Sequence, residues 1–321
     1  MFDEILDGED VPAQKIIFTG LDNSGKTTIL LALQRSLMNL ATLAPTKMVD
    51  RSMFEYLDYK IATHDLGGQK KYLINYLKQP GKYFADTSAA VYVIDLIDLA
   101  RFDESISYFK DALSQFEELE IEPYMYVFFH KAEKLILEGD PGDETLLEGS
   151  MGHNVHILQE KMEKINNGRF DIEYKTTTVF DPWTITSAFS DLMLKLFPQS
   201  VLLDKTLAEF GQNSNLDALL LLDSHSLTLG TYYKDEDAKK ILTASTPYFL
   251  TLLDSWKPYN EEKDKKKMKV MLNNYDFLFT EILDEDGKPT SLYFLAMTSD
   301  IEIESLIFDD FSKIILGILN S

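Results

Sequence analysis

The segment Gly20-Leu21-Asp22-Asn23-Ser24-Gly25-Lys26-Thr27 has the residue types and the spacing of a loop that wraps a phosphate chain. It follows an apolar, strand-like run, Lys15–Thr19, and opens an amphipathic helix expected over Thr28–Leu37. Gly20 and Gly25 let the chain turn tightly, so that the amides of Asp22, Asn23, Ser24, Gly25, Lys26, Thr27 and Thr28 converge on one anion. The helix start adds partial positive charge. Lys26 would reach the β- and γ-phosphates, and the Thr27 hydroxyl would ligate Mg²⁺.

Two further clusters extend this chemistry. Asp65-Leu66-Gly67-Gly68-Gln69 follows a strand-like run, Lys60–His64. An acid at the carboxyl end of a strand beside the phosphate loop can hold Mg²⁺ through water. Gly67 and Gly68 admit a backbone N–H to a γ-phosphate, and the Gln69 amide can orient an attacking water. His130-Lys131-Ala132-Glu133 follows the apolar run Tyr124–Phe129, where the carboxyl ends of strands in a doubly wound sheet line the ligand crevice. There Glu133 can accept from guanine N1–H and the exocyclic amine, the Lys131 stem can lie along the purine face, and His130 can tie the loop to its surroundings.

The elements that must position these groups alternate strand and helix from residue 15 to about 198. Strand-like runs at Lys15–Thr19, Glu55–Asp58, Lys60–His64, Ala89–Asp95, Tyr124–Phe129 and Asp171–Thr178 are separated by helical periods that include Asp103–Leu119, Val155–Ile165 and Trp183–Leu196. This pattern predicts an α/β domain with a mostly parallel, doubly wound sheet over residues 1–198. After Phe197-Pro198 the rhythm changes. A helix over Ser200–Phe210, strands at Ala218–Leu222 and Ser226–Tyr233, and a helix over Glu236–Trp256 come first. Strands at Met268–Leu272, Tyr275–Leu283 and Ser291–Met297 and a closing helix over Ile303–Leu319 complete a smaller antiparallel α+β domain over residues 199–321. Asp284–Pro289 reads as a hairpin turn. Lys263-Asp264-Lys265-Lys266-Lys267 reads as a solvated basic loop.

Composition narrows the partners. The formal net charge of −22 disfavours nucleic acid and anionic membrane as general partners, while leaving room for one nucleotide held locally. With no cysteine there is no disulfide and no thiolate metal site. The first ten residues are acidic where a signal peptide would be basic, and Phe2 stands where myristoylation needs glycine. No apolar run approaches the ~20 residues that span a bilayer. A cytoplasmic protein, with any membrane recruitment coming through partners, is the expectation.

Taken together, these residues resemble a Ras-superfamily small GTPase. The Gly20–Thr27 and Asp65–Gln69 motifs resemble the Arf/Sar branch; the His130-Lys131 form of the base motif, the stretch Ala89–Asp95 and the segment Thr177-Thr178-Val179-Phe180-Asp181 resemble the Rag/Gtr family. The resemblance implies a Mg²⁺-dependent GTP/GDP switch that is slow until a GAP-type partner accelerates it and a GEF-type partner reloads it. It gives Lys26 and Gln69 catalytic roles and makes Thr178 and Val179 part of the last nucleotide loop. In such GTPases a loop threonine closes over Mg²⁺ and the γ-phosphate, here Thr46 with Thr42 as competitor. Metal ligation would therefore fall to Thr27, Thr46 and Asp65. The resemblance also implies a roadblock (longin-like) C-terminal domain that pairs with itself or with a related GTPase. In one respect the chain departs from the family: Glu133 stands where the base motif ends in Asp, one methylene shorter. The competing reading is a nucleotide-stabilised scaffold with incidental hydrolysis.

Overall fold

The structure, a computed structural model, describes residues 13–33, 46–56, 59–137, 150–197, 199–223, 226–256, 267–299 and 305–319. The chain divides into two compact units between Ala188 and Phe189.

The first unit contains β1 (Gln14–Thr19), α1 (Lys26–Leu33), β2 (Val49–Tyr56), β3 (Tyr59–Leu66), α2 (Lys70–Lys78), α3 (Pro80–Tyr83), β4 (Thr87–Asp95), α4 (Phe102–Glu118), β5 (Tyr124–His130), α5 (Glu133–Leu137), α6 (Met151–Asn166), β6 (Ile172–Thr177) and the start of α7 (Pro182–Leu196). Its six strands run in the order β2-β3-β1-β4-β5-β6, parallel except for β2. The uninterrupted apolar runs are the central strands: Ile16, Ile17, Phe18, Val91, Val93, Val127 and Phe128 are fully buried. Such runs suit strands covered on both faces. Helix α4 supplies one cover through Tyr108, Phe109, Ala112, Leu113 and Phe116, which recur at helical spacing and are all buried.

The strand expected at Glu55–Asp58 lies earlier, at Val49–Tyr56, and Leu57 and Asp58 fall outside the described residues. Its middle, Asp50-Arg51-Ser52-Met53, has no apolar signature. It is a strand because it pairs antiparallel with β3, with the Ser52 and Thr63 hydroxyls 2.7 Å apart. Residues 34–37 of the expected first helix also lie outside the described residues. Helices α2 and α3 were not expected from the sequence; Pro80 starts the second of them, a position where its missing N–H costs nothing.

The second unit contains α8 (Gln199–Asn213), β7 (Ala218–Leu222), β8 (Thr228–Tyr233), α9 (Glu236–Trp256), β9 (Lys267–Leu272), β10 (Tyr275–Leu283), β11 (Pro289–Thr298) and α10 (Ser305–Leu319). The five strands, ordered β8-β7-β11-β10-β9, are antiparallel throughout. Alternation sorts the two sheet faces. Phe277 and Phe279 meet Phe249 of α9, whereas Phe294 meets Phe308 and Phe311 of α10. Phe210 of α8 stacks on Phe311, which sets α8 beside α10. The Asp284–Pro289 turn closes through Asp284 N–H to the Lys288 carbonyl, with Gly287 at φ 78°. The two edges of this sheet differ: β8 is largely buried, while β9 exposes Val270, Met271 and Leu272.

Candidate functional site

The loops that follow β1, β3 and β5 meet beyond the carboxyl ends of those strands and form an open cleft of about 270 Å³. Asp22, Asn23, Gly25, Lys26, Thr27, Thr28, Thr46, Gly68, Gln69 and Lys131 line it. Most residues singled out in the sequence therefore converge. Gly20 and Ser24 are buried just behind the cleft, and Glu133, Thr178 and His130 form a second tier beside it.

Lys26 is buried, and its ammonium donates to the carbonyls of Gly20 (3.1 Å) and Leu21 (2.7 Å) and to Ser24 Oγ (3.3 Å). Burial lowers its pKa to about 8, against the opposing pull of Asp65 and Asp22. A phosphate would restore the cation, because an adjacent anion favours the charged form. The loop has no slack at Gly25, whose φ is 100° and where a β-carbon would lie 2.3 Å from the His130 ring.

Asp65 is buried at the end of β3. One carboxylate oxygen, Oδ2, accepts from Thr27 Oγ1 at 2.5 Å and from Thr46 Oγ1 at 2.9 Å, and the two hydroxyls are themselves 2.9 Å apart. The other, Oδ1, is buried without a hydrogen-bond partner. Two hydroxyls and a carboxylate with a buried, unspent oxygen are hard donors that suit Mg²⁺. The competitor Thr42 lies outside the described residues.

Gly68 presses on the phosphate loop. Its carbonyl accepts from Asp22 N–H at 3.0 Å, and a β-carbon at this position would sit 2.1 Å from Asp22 N. Gln69 begins α2 without using its side chain as a cap, which leaves the amide free to hold water in the cleft.

At the other end, Lys131 donates to the Asn23 carbonyl at 2.8 Å and to Asp95 Oδ2 at 2.6 Å, bridging the base loop, the phosphate loop and β4. His130 is buried with Nδ1 2.9 Å from Thr177 Oγ1. Burial, helped by the neighbouring Lys131 charge, lowers its pKa to about 4, so the ring is neutral at pH 7. Glu133 Oε1 accepts from Thr178 Oγ1 at 3.0 Å, which steadies the acid beside the cleft. Val179 is half-buried in the turn that follows. Arg101, which donates to Asp22 Oδ1 at 2.7 Å, was not singled out from sequence, and Asp95 and Thr177 were read only as ends of the Ala89–Asp95 and Thr177–Asp181 stretches. The position of Asp95 at the carboxyl end of a central strand was the available signal.

A family model described as the Gtr1/RagA G protein conserved region matches residues 15–247. The chain belongs to the Gtr1/RagA G protein family. As a Gtr1/RagA-type chain it also shares sequence with Arf-like proteins. ADP-ribosylation factor-like protein 2 of Dictyostelium discoideum is 36% identical over 90 residues, covering 28% of this chain and 46% of that protein. ADP-ribosylation factor-like protein 3 of Chlamydomonas reinhardtii is 37% identical over 91 residues, covering 28% and 48%. These matches span about half the length of those relatives. ADP-ribosylation factor 1 of Brassica rapa subsp. pekinensis is 30% identical over 159 residues, covering 50% of this chain and 80% of that protein. Among solved structures, the Arl6 BBS3 small GTPase from Trypanosoma brucei with bound GppNp aligns over 58% of this chain and 98% of that one, at 20% identity and a TM-score of 0.44.

Proposed function

We propose that this Gtr1/RagA-family chain binds GTP and GDP with Mg²⁺, hydrolyses GTP slowly, and presents the two states to partner proteins. The observation that carries the reading is the convergence of Lys26, Thr27, Thr46, Asp65 and Gln69 on one cleft, with Lys131 closing its far end. Thr27, Thr46 and Asp65 would hold the metal, which when bound neutralises charge on the β- and γ-oxygens. Lys26 and the loop amides face the charge that develops on the transferred phosphoryl group, where preformed donors count most. Gln69 orients the attacking water. Lys131 and Glu133, steadied by Asp95 and Thr178, read the base.

Identification of the nucleotide released from purified protein, followed by single-turnover GTP hydrolysis, tests the reading. Released guanine nucleotide and hydrolysis that Gln69→Leu slows on the order of a hundredfold are expected. Adenine nucleotide, or none, would overturn it. Tight GTP binding with hydrolysis indifferent to Gln69→Leu would leave the scaffold reading in place.

We further infer that residues 199–321 act as a roadblock-like domain that pairs with a second copy or a related GTPase, while residues 1–198 carry the nucleotide. Support comes from β9, which has no second strand partner among the described residues, and from Tyr248 and Leu252 exposed on α9. Sedimentation of the full chain and of residues 1–198 tests this: a dimer lost on truncation is expected, and a dimer that survives truncation would place pairing elsewhere.

A further inference from the structure

We propose that Arg101 is a positioning residue for the phosphate loop, acting through Asp22. Arg101 ends a short 3-10 turn, Leu99–Arg101, that leads into α4. Its Nη2 donates to Asp22 Oδ1 at 2.7 Å, its Nη1 to the Asp22 carbonyl at 3.2 Å, and its Nε to Glu104 Oε2 at 2.9 Å. Glu104 thus braces the guanidinium while its fork grips both the side chain and the main chain of Asp22. From the other side, the Asp22 N–H is taken by the Gly68 carbonyl at 3.0 Å. The peptide at Asp22 is clamped between the turn after β4 and the turn after β3.

The clamp resolves a conflict of charge. Asp22 lines the cleft, so a carboxylate stands in a loop built for anions. It is close enough to Lys26 for its charge to be felt there, as is the opposing charge of Arg101. Its contact with Gly68 places Asp22 at the end of the cleft where a third phosphate would lie. Held by Arg101, the carboxylate is neutralised and turned aside. Released, it would repel the ligand with most charge at that end, since juxtaposed like charges oppose binding. The inference rests on the nucleotide-binding reading above.

Titrations of the full chain with GppNp and with GDP, both with Mg²⁺, test it in Arg101→Ala, Asp22→Asn, the double variant and Arg101→Lys. Arg101→Ala is expected to weaken GppNp about tenfold and GDP about threefold or less. In the double variant GppNp affinity should recover from the Arg101→Ala level to within about threefold of wild type, a rescue that loss of a merely structural contact would not show, since Asp22→Asn breaks that contact too. If Arg101→Ala fails to fold by circular dichroism, Arg101→Lys carries the test. It keeps the charge but loses the fork, and should weaken GppNp about threefold. Equal losses for both nucleotides without relief from Asp22→Asn would overturn the proposal, as would unchanged affinities in Arg101→Ala or, where that variant does not fold, in Arg101→Lys. Wild-type protein that binds neither nucleotide would instead overturn the reading beneath it.

Discussion

At the phosphate end of the cleft the functional side chains are tied to the main chain and to one another, whereas at the other end each side chain is steadied by one or two neighbours. Gly68 lies against Asp22 with no room for a β-carbon, Lys26 is anchored on the Gly20 and Leu21 carbonyls, and one oxygen of Asp65 gathers both Thr27 and Thr46. Opposite them, Glu133 relies on Thr178 and His130 on Thr177, while Lys131 spans Asp95 and the Asn23 carbonyl. An end whose groups interlock fails as a unit. An end made of side chains can be tuned one contact at a time, and the Glu133–Thr178 hydrogen bond is one such contact.

Lys26→Ala should break the phosphate end most severely. Nucleotide affinity is expected to fall about a hundred- to a thousandfold while circular dichroism stays native. A loss below tenfold in an equilibrium titration would erase the distinction between the two ends. Gln69→Leu comes next: single-turnover hydrolysis should slow on the order of a hundredfold with nucleotide affinity nearly unchanged. An equal loss of affinity would mean that Gln69 builds the cleft rather than acting in it. Thr178→Ala sharpens the contrast from the other side. By releasing Glu133 it should lower the preference for GDP over ADP about tenfold, with ADP affinity itself unaltered. A parallel fall in ADP affinity would show that the two ends are not separable.

The smallest effect is a pH dependence. In the nucleotide-free protein Lys26 loses its proton near pH 8, and a bound phosphate raises that pKa. Above pH 8 binding must therefore take up a proton, so affinity should decline with rising pH, by at most about tenfold per unit. His130, neutral down to a pKa of about 4, should add no dependence between pH 6 and 8. Calorimetry in buffers of different ionisation enthalpy would detect the proton taken up; none at pH 9 would contradict the Lys26 assignment.

The phosphate end was legible in the sequence because its chemistry demands small residues at fixed spacing, and glycine, lysine and threonine in register have few other uses. The central strands were legible for a different reason: only strands covered on both faces read as unbroken apolar runs like Ala89–Ile94. Arg101 was not visible, since a single charged residue after a strand looks like any solvated turn, nor was the role of Asp95, although its strand Ala89–Asp95 was read. Their meaning comes from contacts with Asp22 and Lys131, far away in sequence. Strand β2 was shifted because its polar middle has no periodicity of its own and becomes a strand through its partner. In the second unit the Leu219–Leu222 run and the Asp284–Pro289 turn fixed two strands and a hairpin, but neither could reveal that β7 lies between β8 and β11.

The exposed apolar side chains of β9 also bear on how the protein should behave as a colloid. Met271 and Leu272 are 74% and 58% exposed on β9, the edge strand of the sheet among the described residues, so this rim presents apolar side chains. Against further adhesion beyond the proposed pairing stands the shared charge of −22 on every copy. Salt shortens the reach of that repulsion from about 10 Å at 0.1 M to about 3 Å at 1 M. Concentrated salt should thus drive this chain toward self-adhesion, and low ionic strength is the gentler medium for storing it.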